Sequence, residues 1–201
     1  MKRVRQAAVV RAWLRREAAN PSTAFDGDLA STTDREMTAA LLELKPGASR
    51  FIVTAPSLRW YWTTLDEAEL RRLRLIACPE QTLWRALSPD GTVGGAADRI
   101  AGAEPDRLAA ESGVDVNYIT SLAEETGATE PLVVHTRRGH APWTVADGNH
   151  RAVAHALPSA GSFEAQPAYL AVEPNSVVRP LRERLVGVVR RALGRSPTPS
   201  R

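Results

Sequence analysis

The chain has one cysteine, Cys78, in 201 residues. A single thiol cannot build an intramolecular disulfide framework or a cysteine-rich zinc site, and it fits a reducing compartment such as the cytoplasm. Lysine is nearly missing as well: Lys2 and Lys45 are the only two, so arginine carries almost all the positive charge, and the formal net charge is only +3. That small excess reads as a compositional bias towards arginine rather than as a basic surface. No stretch approaches the roughly 18 consecutive apolar residues of a membrane-spanning helix. Arg11, Arg15 and Arg16 break up what would otherwise be the apolar part of an N-terminal signal. No internal repeat is visible. A hydrophobic content of 43% is enough for one main domain with helical additions.

Residues 2–19 have apolar positions at Val4, Ala8, Trp13 and Leu14, which predicts an amphipathic helix ending at Asn20-Pro21. Thr33 with Glu36 forms the pattern of a capping box, opening a second helix that runs to about Leu44 and stops at Lys45-Pro46-Gly47. The β-branched and aromatic residues of 50–54 predict a strand. Helices are expected over 65–76 and 79–87, then a glycine-rich loop over 89–95. That loop lacks the Walker lysine and the dinucleotide glycine spacing, so it reads as a connection. Short helices are expected within 96–112 and over 116–127. The aromatic run Arg59-Trp60-Tyr61-Trp62-Thr63 suits core packing better than a stacking platform for bases.

The pattern changes after Glu130. Pro131 to His135 reads as a buried strand, 137–140 as a turn, Trp143 to Ala146 as a second strand, Asn149 to Leu157 as a helix and 166–172 as a third strand. A last amphipathic helix over 176–194 and a polar tail over 195–201 complete the chain. The expected division is a helical region 1–48, a core 49–175, the C-terminal helix and the tail. The expected fold class is α+β, a small mixed sheet with helices at either end of the sequence.

The chemistry concentrates in Asp147-Gly148-Asn149-His150-Arg151. A strand leading through Asp-Gly directly into a helix leaves the first helical N–H groups unpaired, at the positive end of the helix dipole, where a phosphate or carboxylate is favoured. Gly148 permits backbone geometry closed to other residues. Asn149 suits an N-cap, His150 adds a titratable donor, and Arg151 supplies a planar fork for a phosphate. The same letters also describe an ordinary turn in which Arg151 pairs with Asp147. His150 and His155 are five residues apart, outside the spacing that aligns two ligands on one helix face, so no metal site is expected from the histidines.

The segment Glu130–Leu157, with the strand after it, resembles the ParB/sulfiredoxin superfamily through Pro131, Val133, Val134, Val145, Asp147, Gly148, His150, Arg151 and Ala154. The resemblance implies a ParB-like domain whose turn binds nucleotide phosphates through Gly148, Asn149, His150 and Arg151. Two departures narrow it. Sulfiredoxins have a nucleophilic cysteine where this chain has Asn149, and only 50 residues, Ala152 to Arg201, follow Arg151, too few for the helix-turn-helix domain of a partition factor. The implied activity is a phosphotransferase or nucleotide hydrolase using ATP or CTP with Mg²⁺ on a nucleotide or phosphorylated small molecule. Asp147, Glu130 and His150 are its candidate catalytic groups. The alternative is a nucleic-acid-binding module or nuclease, for which the arginines of the first and last helices would supply a DNA-binding surface. A third reading puts the apolar side of the last helix against a membrane surface or a partner.

Overall fold

The computed structural model describes residues 1–20, 23, 25, 27, 29–52, 58–76, 82–125, 130–137, 141–158 and 163–173. The last helix expected from the sequence, its tail, His140 and Cys78 lie outside them. The fold is α+β. A five-stranded mixed sheet is built from β1 (Lys2–Val4), β2 (Arg59–Leu65), β3 (Leu132–Arg137), β4 (Thr144–Asp147) and β5 (Gln166–Glu173) in the order β1-β2-β5-β3-β4. Only β3 and β5 run parallel; the other neighbours are antiparallel.

Helices cover the two faces. On one side lie α1 (Gln6–Ala19), α2 (Asp34–Leu44) and the short α3 (Ser49–Ile52). Their Val9, Trp13, Leu14, Met37, Leu41 and Phe51 share a core with Trp60, Val133 and Ala171 of the sheet. On the other side lie α4 (Glu67–Arg72), α5 (Thr82–Leu87), α6 (Val93–Ala101), α7 (Pro105–Ser112), α8 (Val116–Glu124) and α9 (Asn149–His155). They enclose Leu65, Leu132, Val134, Ala168 and Leu170. Successive residues of β3 and β5 therefore enter different cores, because strand side chains alternate between faces. Burial on both faces explains why Leu132-Val133-Val134 is continuously apolar rather than alternating.

Local signals survive where no distant partner competes. Thr33 accepts from the N–H of Glu36 while the Glu36 carboxylate takes the Thr33 N–H at 2.9 Å, completing the box that starts α2. Asp66 and Glu69 repeat the arrangement at α4. The loop expected over 89–95 is shorter than read, because Thr92 accepts from the N–H of Gly95 and caps α6 from Val93 onward.

Tertiary contacts override the pattern elsewhere. Lys2–Val4 is not the first turn of α1 but a strand paired with Trp62, Tyr61 and Trp60. Arg50, Phe51 and Ile52, expected to begin a strand, are helical in α3; the remainder of that expectation, 53–54, lies outside the described residues. The strand is instead Arg59–Leu65, whose aromatic and threonine residues fit a pleated, half-buried surface. Trp62 meets Tyr169 edge-on across the β2–β5 pair, with ring centroids 4.9 Å apart.

Trp60 anchors the N-terminal helices to the sheet. It is 2% exposed, and its indole N–H donates to Gln6 Oε1 at 3.2 Å, while Gln6 Nε2 donates to the Ile52 carbonyl. Trp60→Ala is expected to lower unfolding free energy by about 3–5 kcal/mol, the usual cost of emptying a buried aromatic site. Urea unfolding followed by far-ultraviolet circular dichroism measures it.

Candidate functional site

The Asp147 turn is set by an irregularity in β4. Val134 pairs with Val145, but Val133 pairs with Asp147, so one extra residue, Ala146, is accommodated between them. Such a bulge re-aims the side chains beyond it. Without it, Asp147 would share the face of Val145, towards α4–α9; with it, Asp147 shares the face of Val133, towards α1 and α2.

Three cations meet Asp147 there. One carboxylate oxygen, Oδ2, accepts from Arg16 Nη2 of α1 and lies 3.5 Å from Arg151 Nη2 of α9; the other, Oδ1, faces Lys45 Nζ at the C-terminus of α2. Asp147 is only 7% exposed. Burial alone would raise its pKa, but Arg16, Lys45 and Arg151 together outweigh that and hold the carboxyl below the ordinary aspartate range. Two further carboxylates complete the cluster. Glu17 lies 2.9 Å from Lys45 Nζ, and Glu130 lies 3.0 Å from Arg151 Nη1 and 4.0 Å from Arg16 Nε. Arg16 Nη1 also donates to the Pro131 carbonyl at 3.2 Å, and Gln166 Nε2 donates to the Glu130 carbonyl at 2.9 Å. The entry to β3 is thus held from both neighbouring elements.

The turn residues fall differently from their sequence reading. Gly148, not Asn149, is the N-cap of α9, with φ of 95° and no side-chain cap. A Cβ at Gly148 would meet Arg151 Nη2 at 2.7 Å and Leu132 Cδ2 at 2.8 Å, so glycine is needed both for the left-handed backbone and for the guanidinium that folds back over it. Asn149 is the first helical residue, and its buried Oδ1 has no hydrogen-bond partner among the described residues. With seven residues, α9 is two turns long and contributes a small dipole; charge selection at this site rests mainly on side chains.

His150 sits between aromatic rings, 5.0 Å from Trp84 and 5.5 Å from Tyr118 by ring centroids. Burial, with Lys45, lowers its pKa against the opposing effect of Asp115 and Asp147, which favours the neutral ring. Asp147 has both oxygens committed, which makes it the hub that positions the cations. Glu130 is the accessible carboxylate, with its side chain 54% exposed. His135 faces Glu173 at 3.2 Å, and His155 faces the Glu164 carbonyl at 2.7 Å, both away from this cluster. No described group of three His, Cys, Asp or Glu residues is placed to hold a metal ion.

Sequence reasoning missed Arg16, Glu17 and Lys45. Trp13 and Leu14 belong to the buried stripe of α1, and Arg16 and Glu17 continue it three residues on, where an apolar residue is expected. Charges in a buried stripe are the signal that could have found them.

No protein-family model, curated protein or solved structure matches the chain.

Two outcomes follow from this geometry. Asp147→Asn removes the most buried of the three carboxylates facing Arg16, Lys45 and Arg151, leaving Glu17 and Glu130, and is expected to cost at most about 3–5 kcal/mol at neutral pH. Because the native pKa of Asp147 is depressed, the wild-type advantage is full above the ordinary carboxyl value and disappears as pH falls through the native value; paired urea titrations at neutral and strongly acidic pH measure both. Gly148→Ala is expected to destabilise by about 1–3 kcal/mol through backbone strain and displacement of Arg151, read as a lowered thermal midpoint.

Proposed function

We propose that the cluster at the Asp147 turn binds the phosphate groups of a nucleotide or phosphorylated small molecule, in a ParB-like domain that transfers or hydrolyses the terminal phosphate. The observation that carries this reading is the convergence of Arg16, Lys45 and Arg151, from three separate elements, on one buried carboxylate beside Gly148. Holding three cations together costs free energy through mutual repulsion and desolvation, and Asp147 offsets it. The outer sides of Arg16 and Arg151 meet Glu130, a half-exposed carboxylate in the position a ligand phosphate would take. A phosphate carries more charge and more acceptors than a carboxylate, so it displaces Glu130 from the guanidinia by forming forked, charge-assisted hydrogen bonds.

Glu130, once released, is the residue suited to accept a proton from an attacking hydroxyl or water. Mg²⁺ would arrive with the phosphates of ATP or CTP and take one or two carboxylate contacts, as is usual for this ion. The metal would neutralise charge on the transferring group. Arg16 and Arg151 would bind and orient that group, and neutral His150 would lie at the rim as a hydrogen-bonding side chain. The order β3, hairpin, β4, Asp147 turn, α9 and a returning parallel β5 supports the resemblance to the ParB/sulfiredoxin superfamily.

Calorimetric titration with Mg²⁺–ATP and Mg²⁺–CTP tests the proposal. Binding is expected in the wild type and weaker by about 10- to 100-fold in Arg151→Ala, the loss of a charge-assisted hydrogen-bonded contact. Glu130→Gln is expected to bind at least as tightly as wild type while losing turnover. Absence of nucleotide binding by a folded wild type, or equal binding by folded Arg151→Ala, overturns the reading.

A further inference from the structure

The aromatic run of β2 divides between the two sides of the strand, and on the side facing α1 and α2 its cover thins along the chain. Trp60 is 2% exposed and its β5 partner Ala171 is fully buried, but in the next pair on that side both Trp62 and Tyr169 are half-buried, and in the one after it Thr64 is exposed beside a half-buried Pro167. Trp60 and Ala171 belong to the core under the N-terminal helices, and Tyr169 packs against the margin of that core. Trp62 packs against neither core among the described residues; its ring meets Tyr169 edge-on at 4.9 Å. The helices thus leave partly open the corner of the sheet where β2 ends and β5 begins.

Cross-strand pairing puts this corner in line with the Asp147 turn. Trp62 lies opposite Tyr169, Tyr169 opposite Val133 and Val133 opposite Asp147, so the four share one row and one face of the sheet. With neighbouring strands about 4.8 Å apart, Tyr169 stands roughly 10 Å and Trp62 roughly 14 Å from Asp147 along that row. Val133 is buried between them, and the surface joining the two places runs along the adjacent edge of the sheet, over Pro131 and Pro167, the half-buried residues that precede the pair Leu132 and Ala168. Arg16 already reaches this edge, since its Nη1 donates to the Pro131 carbonyl. A ribose with its phosphate chain covers the distance from Arg16 to the aromatic pair.

We propose that Trp62 and Tyr169 are the base platform of the Asp147 site: a nucleotide with its phosphates against Arg16 and Arg151 extends past Pro131 and Pro167 and lays its base on the open side of the aromatic pair. The inference rests on the phosphate-binding reading given above and narrows its ligand from phosphorylated compounds in general to those carrying an aromatic base. Trp62 offers the larger face, and the edge-on contact with Tyr169 fixes its ring. Every base has a π-face, so the platform accepts purines and pyrimidines alike.

The test is calorimetry with Mg²⁺–ATP and with Mg²⁺–tripolyphosphate, which has the phosphates and no base. Wild type is expected to bind ATP about tenfold more tightly than tripolyphosphate, the usual effect of one base stacked on an aromatic side chain. Trp62→Thr, which keeps a strand-forming residue in β2, is expected to lose that margin while binding tripolyphosphate as wild type does. Arg151→Ala is expected to weaken both ligands. Stacking also quenches indole fluorescence, so ATP and not tripolyphosphate is expected to dim the wild type, and the dimming is expected to vanish in Trp62→Phe, which keeps an aromatic ring at the position and most of the affinity. The platform is overturned, with the phosphate-binding reading left standing, if wild type binds the two ligands equally, if folded Trp62→Thr keeps the margin or weakens both ligands alike, or if Trp62→Phe is still quenched. Binding of neither ligand by folded wild type overturns both.

Discussion

The buried carboxylate of Asp147 ties together cations from three separate elements of the chain. Arg16 comes from α1, Lys45 from the end of α2 and Arg151 from α9, and all three reach the last residue of β4. Each would be costly to bury alone, and Asp147 would be costlier still without them. The charges are therefore mutually conditional. The core shared by α1, α2 and the sheet docks the N-terminal helices, and the bulge of β4 turns Asp147 towards the Arg16 and Lys45 that they carry.

The same interaction prepares the chemistry proposed for the site. The three cations face three carboxylates, Asp147, Glu17 and Glu130, of which Glu130 is the most exposed and holds the outer sides of Arg16 and Arg151. Preorganisation of this kind matters because an anion then meets donors already in place, and the cost of assembling them falls on folding rather than on binding. Gly148 belongs to the same device: its missing side chain leaves the space through which Arg151 folds back. His150 serves differently, as a neutral ring wedged between Trp84 and Tyr118 that joins the start of α9 to α5 and α8.

The strands from Leu132 onward, the helix after Gly148 and both ends of the capping box at Thr33 could be read from sequence because each depends on neighbours a few residues away: alternation, a glycine turn, a side chain reaching its own helix start. The readings at Lys2–Val4 and Arg50–Ile52 failed for the opposite reason. Three residues at the start of an amphipathic pattern became a strand because β2 offered an edge, and a β-branched run became a helical turn because β2 formed downstream of it. The aromatic run of β2 was legible as core, although not as the strand that organises the N-terminal half.

The sequence by itself determined the α+β composition, the strand-turn-helix around Asp147, and the need for glycine at position 148, since hydrophobic period and turn chemistry are local properties. Tertiary structure decided which charges share a site. Arg16 and Lys45 stand more than a hundred residues from Asp147, and their proximity comes from packing the N-terminal helices onto one sheet face and from a one-residue bulge that turns the carboxylate towards them. Arg50, Arg74, Arg85 and Arg137 likewise form no pattern along the chain, yet in the fold they line one cleft.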